Sequence, residues 1–181
     1  MKKKSYKIDI SRIIQELSRE KYDENKEIIK EESEDEQAMS LPDYGSVEFW
    51  DRRYKIEFLP FDWYIQWSEL KPVIDPYMPA DKQNLKSLVV GCGNSTMSND
   101  MVEMSGFKHV VSIDISGIVI EKMKNRYKSK CHEWITMDVT DMKFEDDSFD
   151  LIFDKGTIDA LTCSDDVNSV IRKSSNELYR V

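Results

Sequence analysis

Residues 87–95 read SLVVGCGNS, a short apolar run that ends on two glycines. The run lacks the polar alternation of a half-exposed strand, so it predicts a strand that is covered on both faces. Gly91 and Gly93 have no Cβ, which lets the backbone turn tightly and come close to a ligand. The third glycine of the dinucleotide fingerprint GxGxxG is absent. A plain turn remains an alternative interpretation of the glycine pair.

Downstream of residue 79 the sequence alternates between strand-like and helix-like stretches. The predicted strands are 86–90, 110–114, 133–137 and 149–154, and the predicted helices are 96–105, 116–127 and 165–179. Short apolar strands separated by 10–15-residue helical stretches are typical of βαβ units and a parallel sheet. The sequence therefore predicts an α/β, Rossmann-like fold with strand order 3-2-1-4, which leaves the fourth strand at an edge.

Composition limits the possible functions. The chain has 181 residues, 40% of them hydrophobic, and a formal net charge of −9, which argues against broad binding to nucleic-acid phosphates. No apolar run approaches the roughly 18 residues that a membrane span needs, so no membrane association is expected. Three cysteines without metal-binding or disulfide spacing predict a reducing compartment, the cytoplasm or the nucleus, and no metal site.

The first 40 residues differ in texture from the rest. Ile10, Ile13, Ile14 and Leu17 follow the spacing of an amphipathic helix. The residues after them are dominated by charge and offer little to bury, which is typical of a linker. We therefore divide the chain into a charged N-terminal extension, residues 1–40, and a globular domain, residues 41–181.

Acidic residues follow the second and third predicted strands. Asp114 comes 23 residues after Gly91, close to the spacing of about 20 at which an acid accepts hydrogen bonds from ribose hydroxyls. Asp138 follows the third strand, where it could accept a hydrogen bond from an exocyclic adenine amine while Met137 and Val139 pack on the ring. A helix-capping acid and a simple turn acid are the alternatives. Taken together, these strand ends predict a nucleoside pocket.

The fourth strand ends in FDKGTIDAL, residues 153–161. Asp154 would lie at the carboxyl edge of the sheet, facing the reactive end of a bound nucleoside. Lys155 could reach the same pocket, although a solvent-facing position is the more common fate of a lysine. Gly156 gives the backbone freedom at this point.

Four motifs together resemble a known family: VVGCGNS, VSIDIS, ITMDVTDM and above all FDKGTIDAL. They are similar to class I S-adenosylmethionine-dependent methyltransferases, in the branch that includes lysine methyltransferases acting on translation elongation factor 1-alpha. FWDRRY and FDWY, residues 49–54 and 61–64, resemble the N-terminal segment of that branch. The resemblance covers about residues 44–181 and leaves the first 40 residues out.

The resemblance implies a role for each matching residue. Trp50, Tyr54 and Trp63 would close over the methionine and adenosine parts of the cofactor, and aromatic faces also attract a sulfonium cation. The other implied cofactor contacts are Gly91 and Gly93 in the first motif, Asp114 and Ile115 at the ribose and adenine, Asp138 and Val139 at the adenine, and Lys155 in the fourth motif. The implied cofactor is S-adenosyl-L-methionine, with S-adenosyl-L-homocysteine as product.

The expected function is protein-lysine N-methylation, with a translation elongation factor as a possible partner. The reaction requires alignment and desolvation of a neutral lysine more than a dedicated base. Asp154 is the candidate for a carboxylate that helps the lysine lose its proton.

The family that this sequence resembles has a seven-stranded sheet, whereas four strands are predicted here. We therefore expect a domain truncated after the fourth strand and its following helix, either a fragment or a shortened paralogue. A non-catalytic module that binds the cofactor or a partner protein is the alternative function. A nicotinamide-dependent oxidoreductase is a weaker one, since the glycine pattern and the two downstream acids argue against it.

Overall fold

The computed structural model describes residues 43–181. The predicted helix around residues 10–17 and the proposed linker after it lie outside this range. Within it, two N-terminal helices, α1 (Val47–Ile56) and α2 (Trp67–Ile74), are followed by a 3₁₀ turn (Asp75–Tyr77) and an α/β unit. The ten residues between α1 and α2, 57–66, are called the connector below.

The α/β unit alternates strands with helices. Its strands are β1 (Lys86–Val90), β2 (His109–Asp114), β3 (His132–Thr136) and β4 (Leu151–Asp154), and its helices are α3 (Met97–Ser105), α4 (Gly117–Arg126), α5 (Thr157–Leu161) and α6 (Val167–Arg180). All pairs are parallel, and the order is β3-β2-β1-β4, as predicted. Among the described strands, β4 pairs only with β1.

Both faces of the sheet are covered, which explains the apolar, non-alternating strand sequences. Val89 packs in one core cluster with Trp67, Phe107 and Phe153. Leu88 and Val90, which point to the opposite face, pack in a second cluster. Trp67, Phe107 and Phe153 meet edge to face, with ring centroids 5.9–6.4 Å apart. This packing holds α2 against the strands, so the N-terminal helices belong to the same core.

Side-chain contacts fix the helix that follows β2. The Ser116 hydroxyl caps the start of α4 by accepting from the Val119 N–H. The same hydroxyl donates to Asp51 of α1 at 2.6 Å. Near the C-terminal end of α1, Lys122 donates to the carbonyl oxygens of Tyr54 and Glu57. Helix α1 is therefore fastened to α4 at two points.

Three further features of residues 43–181 concern membrane spans, metal sites and cysteines. No helix among residues 43–181 combines the length and apolarity that a bilayer crossing requires. Within the same range, no group of three or more His, Cys, Asp or Glu side chains is arranged to hold a metal ion. The three cysteines are free, and Cys92 is buried.

Candidate functional site

A cavity opens at the carboxyl ends of all four strands, where a parallel α/β sheet places its ligands. The space between its walls is about 1010 Å³ when the open solvent at its mouth is included. The strand ends form one wall, and α1 with the connector forms the opposite wall.

The β1 wall depends on two glycines in the left-handed region. Gly91 has φ +53° and Gly93 has φ +52°. A Cβ at Gly91 would overlap the Thr157 hydroxyl and lie 2.7 Å from the Thr157 methyl group. Thr157 is fixed there because its hydroxyl donates to the Val90 carbonyl at 2.9 Å. Glycine is therefore required at position 91 by both backbone conformation and contact.

Asp114 lies at the end of β2 and is buried. Its two carboxylate oxygens accept from the backbone N–H groups of Gly93 and Ser116, each at 2.9 Å. Burial raises the pKa of Asp114 to about 6, although the two N–H donors oppose the shift, and nearby Asp51 adds to it. Asp114 thus ties the glycine turn to the start of α4 while its carboxylate lines the cavity.

The β3 end supplies a mixed polar and apolar corner. Asp138 is exposed and accepts from the Thr140 N–H at 2.7 Å, so it forms the turn that the sequence allowed as an alternative. It also lines the cavity, beside Met137 and the buried Val139. Ile115, an apolar side chain that is 39% exposed and follows the neighbouring strand β2, lines the same cavity. These residues suit a flat ring with a polar edge.

Helix α1 presents Trp50 and Tyr54 to the cavity. Their rings are stacked, with centroids 5.7 Å apart. A Cβ at Gly93 would lie 2.7 Å from the Tyr54 hydroxyl oxygen, so the glycine turn and the tyrosine are in close contact. Burial, with the charge of Asp114 next, raises the pKa of Tyr54 well above its usual range, so the phenol keeps its proton.

Arg53 occupies the space between the aromatic rings. Its guanidinium carbon lies 5.0 Å from the ring centroid of Phe61, 5.2 Å from that of Trp63 and 5.7 Å from that of Trp50. Glu57 pairs with it at 2.8 Å. The aromatic faces that the sequence assigned to a sulfonium cation therefore already hold a cation of the protein.

Lys155 lines the cavity but is paired with a residue of the connector. Its ammonium lies 2.9 Å from the Asp62 carboxylate and 3.2 Å from the Trp63 carbonyl oxygen. The Asp62 and Lys155 side chains are only 8% and 7% exposed. Burial lowers the pKa of Lys155, and the charge of Asp62 opposes this shift without cancelling it.

Asp154 lies apart from these groups. Its carboxylate accepts from the backbone N–H groups of Thr157 at 3.0 Å and Ile158 at 3.3 Å, so it caps the start of α5. Burial raises the pKa of Asp154, and the two donors oppose that shift. The side chain does not belong to the cavity wall. Its catalytic role stays a prediction.

The structure brings all ten predicted cofactor-binding residues to this one cavity. They are Trp50, Tyr54, Trp63, Gly91, Gly93, Asp114, Ile115, Asp138, Val139 and Lys155. Their contact with a cofactor stays a prediction. Three further residues, Arg53, Asp62 and Thr157, were not predicted as site residues, although all three belong to quoted motifs. Asp62 and Thr157 act through contacts between distant parts of the chain, and Arg53 acts through rings of α1 and the connector, which no motif pattern records.

Comparison with known proteins adds an independent line of evidence. A family model described as a methyltransferase domain matches residues 81–179. The eEF1A lysine and N-terminal methyltransferase of Bos taurus is 39% identical over 125 residues, which are 67% of this chain and 17% of that protein. The EEF1A lysine methyltransferase 4 of Bos taurus is 36% identical over 133 residues, which are 69% of this chain and 50% of that protein.

The chain thus spans between 17% and 50% of the length of these two relatives. Among solved structures, the YcgJ protein of Bacillus subtilis aligns with 59% of this chain and 44% of its own at 17% identity, with a TM-score of 0.45. The assignment to a family therefore rests on the sequence matches and not on this structural alignment.

Proposed function

Because the chain belongs to the methyltransferase-domain family, we propose that its cavity binds S-adenosyl-L-methionine and that the protein methylates a lysine of another protein. A methyltransferase domain of this fold uses S-adenosyl-L-methionine as its methyl donor. The observation that carries the proposal is the buried Asp114 carboxylate, which lines the cavity beside a glycine turn held open by two positive φ angles.

The adenosine half of the cofactor fits the β2 and β3 ends. Asp114 would accept hydrogen bonds from the ribose hydroxyls, since each carboxylate oxygen has a lone pair beyond the one used by a backbone N–H. Ile115, Met137 and Val139 would pack on the adenine ring. Asp138 would accept from its exocyclic amine with the oxygen that the turn leaves free.

The methionine half fits the wall built by β1 and α1. At Gly91 and Gly93 a ligand can approach the bare backbone closely. Arg53 would attract the carboxylate of the methionine moiety, in competition with Glu57. In this arrangement Trp50 and Trp63 orient the guanidinium and shield the cavity from water, in place of a direct contact with the sulfonium.

The chemistry divides between the bound molecule and the chain. When bound, S-adenosyl-L-methionine supplies an activated methyl group for an in-line displacement. The residues of this chain would exclude water and align the attacking amine. The lysine must arrive neutral, and the rings of Trp50, Phe61 and Trp63, with the Arg53 cation held against them, would lower the pKa of an amine nearby. Asp154 would contribute only as a nearby negative charge.

The substrate proposal rests on the relatives and on charge. The names of the relatives specify lysine methylation of eEF1A, and we propose the same substrate class for this protein. The net charge of −9 favours approach of a basic protein and disfavours nucleic acid. A cytoplasmic location, expected from the free cysteines, stays a prediction.

Transfer of a labelled methyl group tests the proposal. The 181-residue chain is incubated with tritium-labelled S-adenosyl-L-methionine and purified elongation factor 1-alpha, and any labelled lysine is located by mass spectrometry. We expect label on one or a few lysines, and none with the Asp114→Ala variant. Cofactor binding without any labelled protein would contradict the substrate and favour the non-catalytic module. Absence of cofactor binding would contradict the proposal as a whole.

A further inference from the structure

The connector, residues 57–66, is held in place by polar contacts along its length and by one buried side chain, Ile65. Two of its large apolar side chains point outward, since Phe58 is 71% exposed and Leu59 is 77% exposed, whereas Ile65 near its end is buried in the core. Its backbone, by contrast, accepts hydrogen bonds from other elements. Asn94 donates to the Leu59 carbonyl at 2.7 Å, and Arg126 donates to the Phe58 carbonyl. Since burial anchors the connector mainly at Ile65, the polar contacts help to decide where the rest of this wall lies.

Within the connector, Asp62 makes the most side-chain hydrogen bonds to other elements. Its carboxylate accepts from the Lys155 ammonium at 2.9 Å, from the Ser95 hydroxyl, and from the Thr96 N–H at 3.3 Å. Lys155 in turn donates to the Trp63 carbonyl at 3.2 Å. Two consecutive connector residues are therefore bound to the end of β4, and one of them is also bound to the start of α3.

A buried ion pair of this kind is poor at stabilising a fold, because desolvation offsets most of the attraction. The Lys155 ammonium donates to two connector groups, the Asp62 carboxylate and the Trp63 carbonyl oxygen. This is the geometry of a residue that holds a segment in place. Burial tends to raise the pKa of Asp62, but Lys155 and the hydroxyl and N–H donors outweigh it and lower that pKa, so the carboxylate is ionised at neutral pH.

We propose that Asp62 and Lys155 act together as a clamp, so that Lys155 serves the cavity by holding the connector and not by touching the ligand. This inference rests on the proposed function. The connector carries Phe61 and Trp63 into the cavity wall. Trp63 also lies against Gly156, where an added Cβ would be 3.6 Å from the Trp63 Cβ. Releasing the clamp lets this wall swing away, so a bound ligand leaves faster.

Combining the two substitutions distinguishes a clamp from direct contact between Lys155 and the ligand. The dissociation rate of S-adenosyl-L-homocysteine is measured by stopped-flow tryptophan fluorescence for wild type, Asp62→Asn, Lys155→Met and the double variant. Each single change should speed dissociation by roughly tenfold to a hundredfold, the range expected when a buried charge loses its partner. The double variant should be no faster than the faster single variant, because both changes release one clamp.

The control is Lys143→Met, which removes an exposed lysine whose pair with Asp141 lies on the surface and should leave the rate unchanged. If the effects of the single changes multiply in the double variant, Lys155 touches the ligand directly and the clamp is wrong. An unchanged rate in Asp62→Asn would overturn it as well.

Hydrogen exchange reads the clamp without any ligand. In Asp62→Asn, the amide of Ile65, which donates to the Trp63 carbonyl at 2.7 Å, should exchange faster, while those of β1 and β2 keep their wild-type protection. The protected strands also show that the variant is folded. Unchanged exchange in the connector would refute the clamp whether or not the cofactor binds. Failure of wild type to bind S-adenosyl-L-homocysteine, with faster connector exchange, would refute the proposed function and leave the clamp standing.

Discussion

The two walls of the cavity are built in different ways. The wall of strand ends, which includes Gly91, Gly93 and Asp114, is fixed by backbone geometry: positive φ angles and hydrogen bonds to main-chain N–H groups. The opposite wall of α1 and the connector is fixed by side chains that cross long stretches of sequence, such as Lys122 to Tyr54 and Lys155 to Asp62. Changes to the first wall should therefore be severe and local, and changes to the second should be graded.

Gly91→Ala should produce the largest effect. The added methyl group would overlap the Thr157 side chain at a residue with φ +53°. Gly106→Ala is the matched control, because Gly106 has φ +77° and nothing within 4 Å of its added Cβ. Both variants carry backbone strain of roughly 1 kcal/mol, so the difference between them isolates the contact. We expect loss of ligand binding and a further drop in melting temperature only for Gly91→Ala; equal behaviour of the two would contradict this account of the turn.

Asp114→Asn should weaken S-adenosyl-L-homocysteine binding by roughly tenfold to a hundredfold, the value of hydrogen bonds to a charged acceptor. The same substitution should also remove the pH dependence of this binding. With a pKa of about 6 in the fold, the wild-type carboxyl loses its proton as pH rises through 6, so affinity should increase there and then level off. Titration calorimetry between pH 5 and 8 checks this; an equally steep profile in Asp114→Asn would assign the dependence to another group.

The same group affects stability with the opposite sign. The folded-state pKa lies above the ordinary value of 3.8, so between about pH 4 and 6 the folded chain binds more protons than the unfolded chain. Its contribution to the free energy of unfolding therefore falls as pH rises through that window. Denaturant titrations of wild type minus Asp114→Asn should show this decline, and a difference that grows with pH would contradict the assigned shift.

Gly93→Ala should be milder and reversible by a second change, because it joins the two walls. The added Cβ would lie 2.7 Å from the Tyr54 hydroxyl oxygen, whereas the next Tyr54 atom is 3.6 Å away. Tyr54→Phe removes that oxygen, so the double variant should recover most of the lost affinity and keep only the backbone strain. A double variant as weak as Gly93→Ala alone would show that the tyrosine is not what the methyl group meets.

Lys122→Met should have the smallest effect. The lysine donates to the carbonyl oxygens of Tyr54 and Glu57 near the end of α1, a contact that contributes about 1 kcal/mol. Thermal unfolding should show a drop of a few degrees, with a modest loss of affinity because α1 is still held by Asp51 and Ser116. Lys124→Met, which removes an exposed lysine from the same helix, is the control and should change neither quantity.

The sequence predicted the strand wall well because its signals are local. An apolar run followed by Gly91 and Gly93, with Asp114 at a fixed spacing, predicted strands β1 and β2, the parallel order and the place of the cavity. The resemblance to class I methyltransferases of the elongation factor 1-alpha branch is confirmed by the family model and by the names of the relatives.

The α1 wall was predicted only as a set of aromatic residues. Trp50, Tyr54 and Trp63 do line the cavity, but nothing in FWDRRY or FDWY shows that Arg53 lies between the rings or that Asp62 reaches Lys155, 93 residues along the chain. Such contacts depend on how distant elements pack. Asp154 illustrates the converse, since its position at a strand end suited catalysis and also suits the cap of α5 that it forms.

Titration calorimetry of the wild-type chain with S-adenosyl-L-homocysteine and, separately, with NAD tests the central claim most directly. The geometry of the cavity, with an acid for the ribose and no third glycine for a pyrophosphate, predicts a single-site isotherm with S-adenosyl-L-homocysteine and no heat of binding with NAD. Binding of NAD in the absence of S-adenosyl-L-homocysteine binding would contradict it.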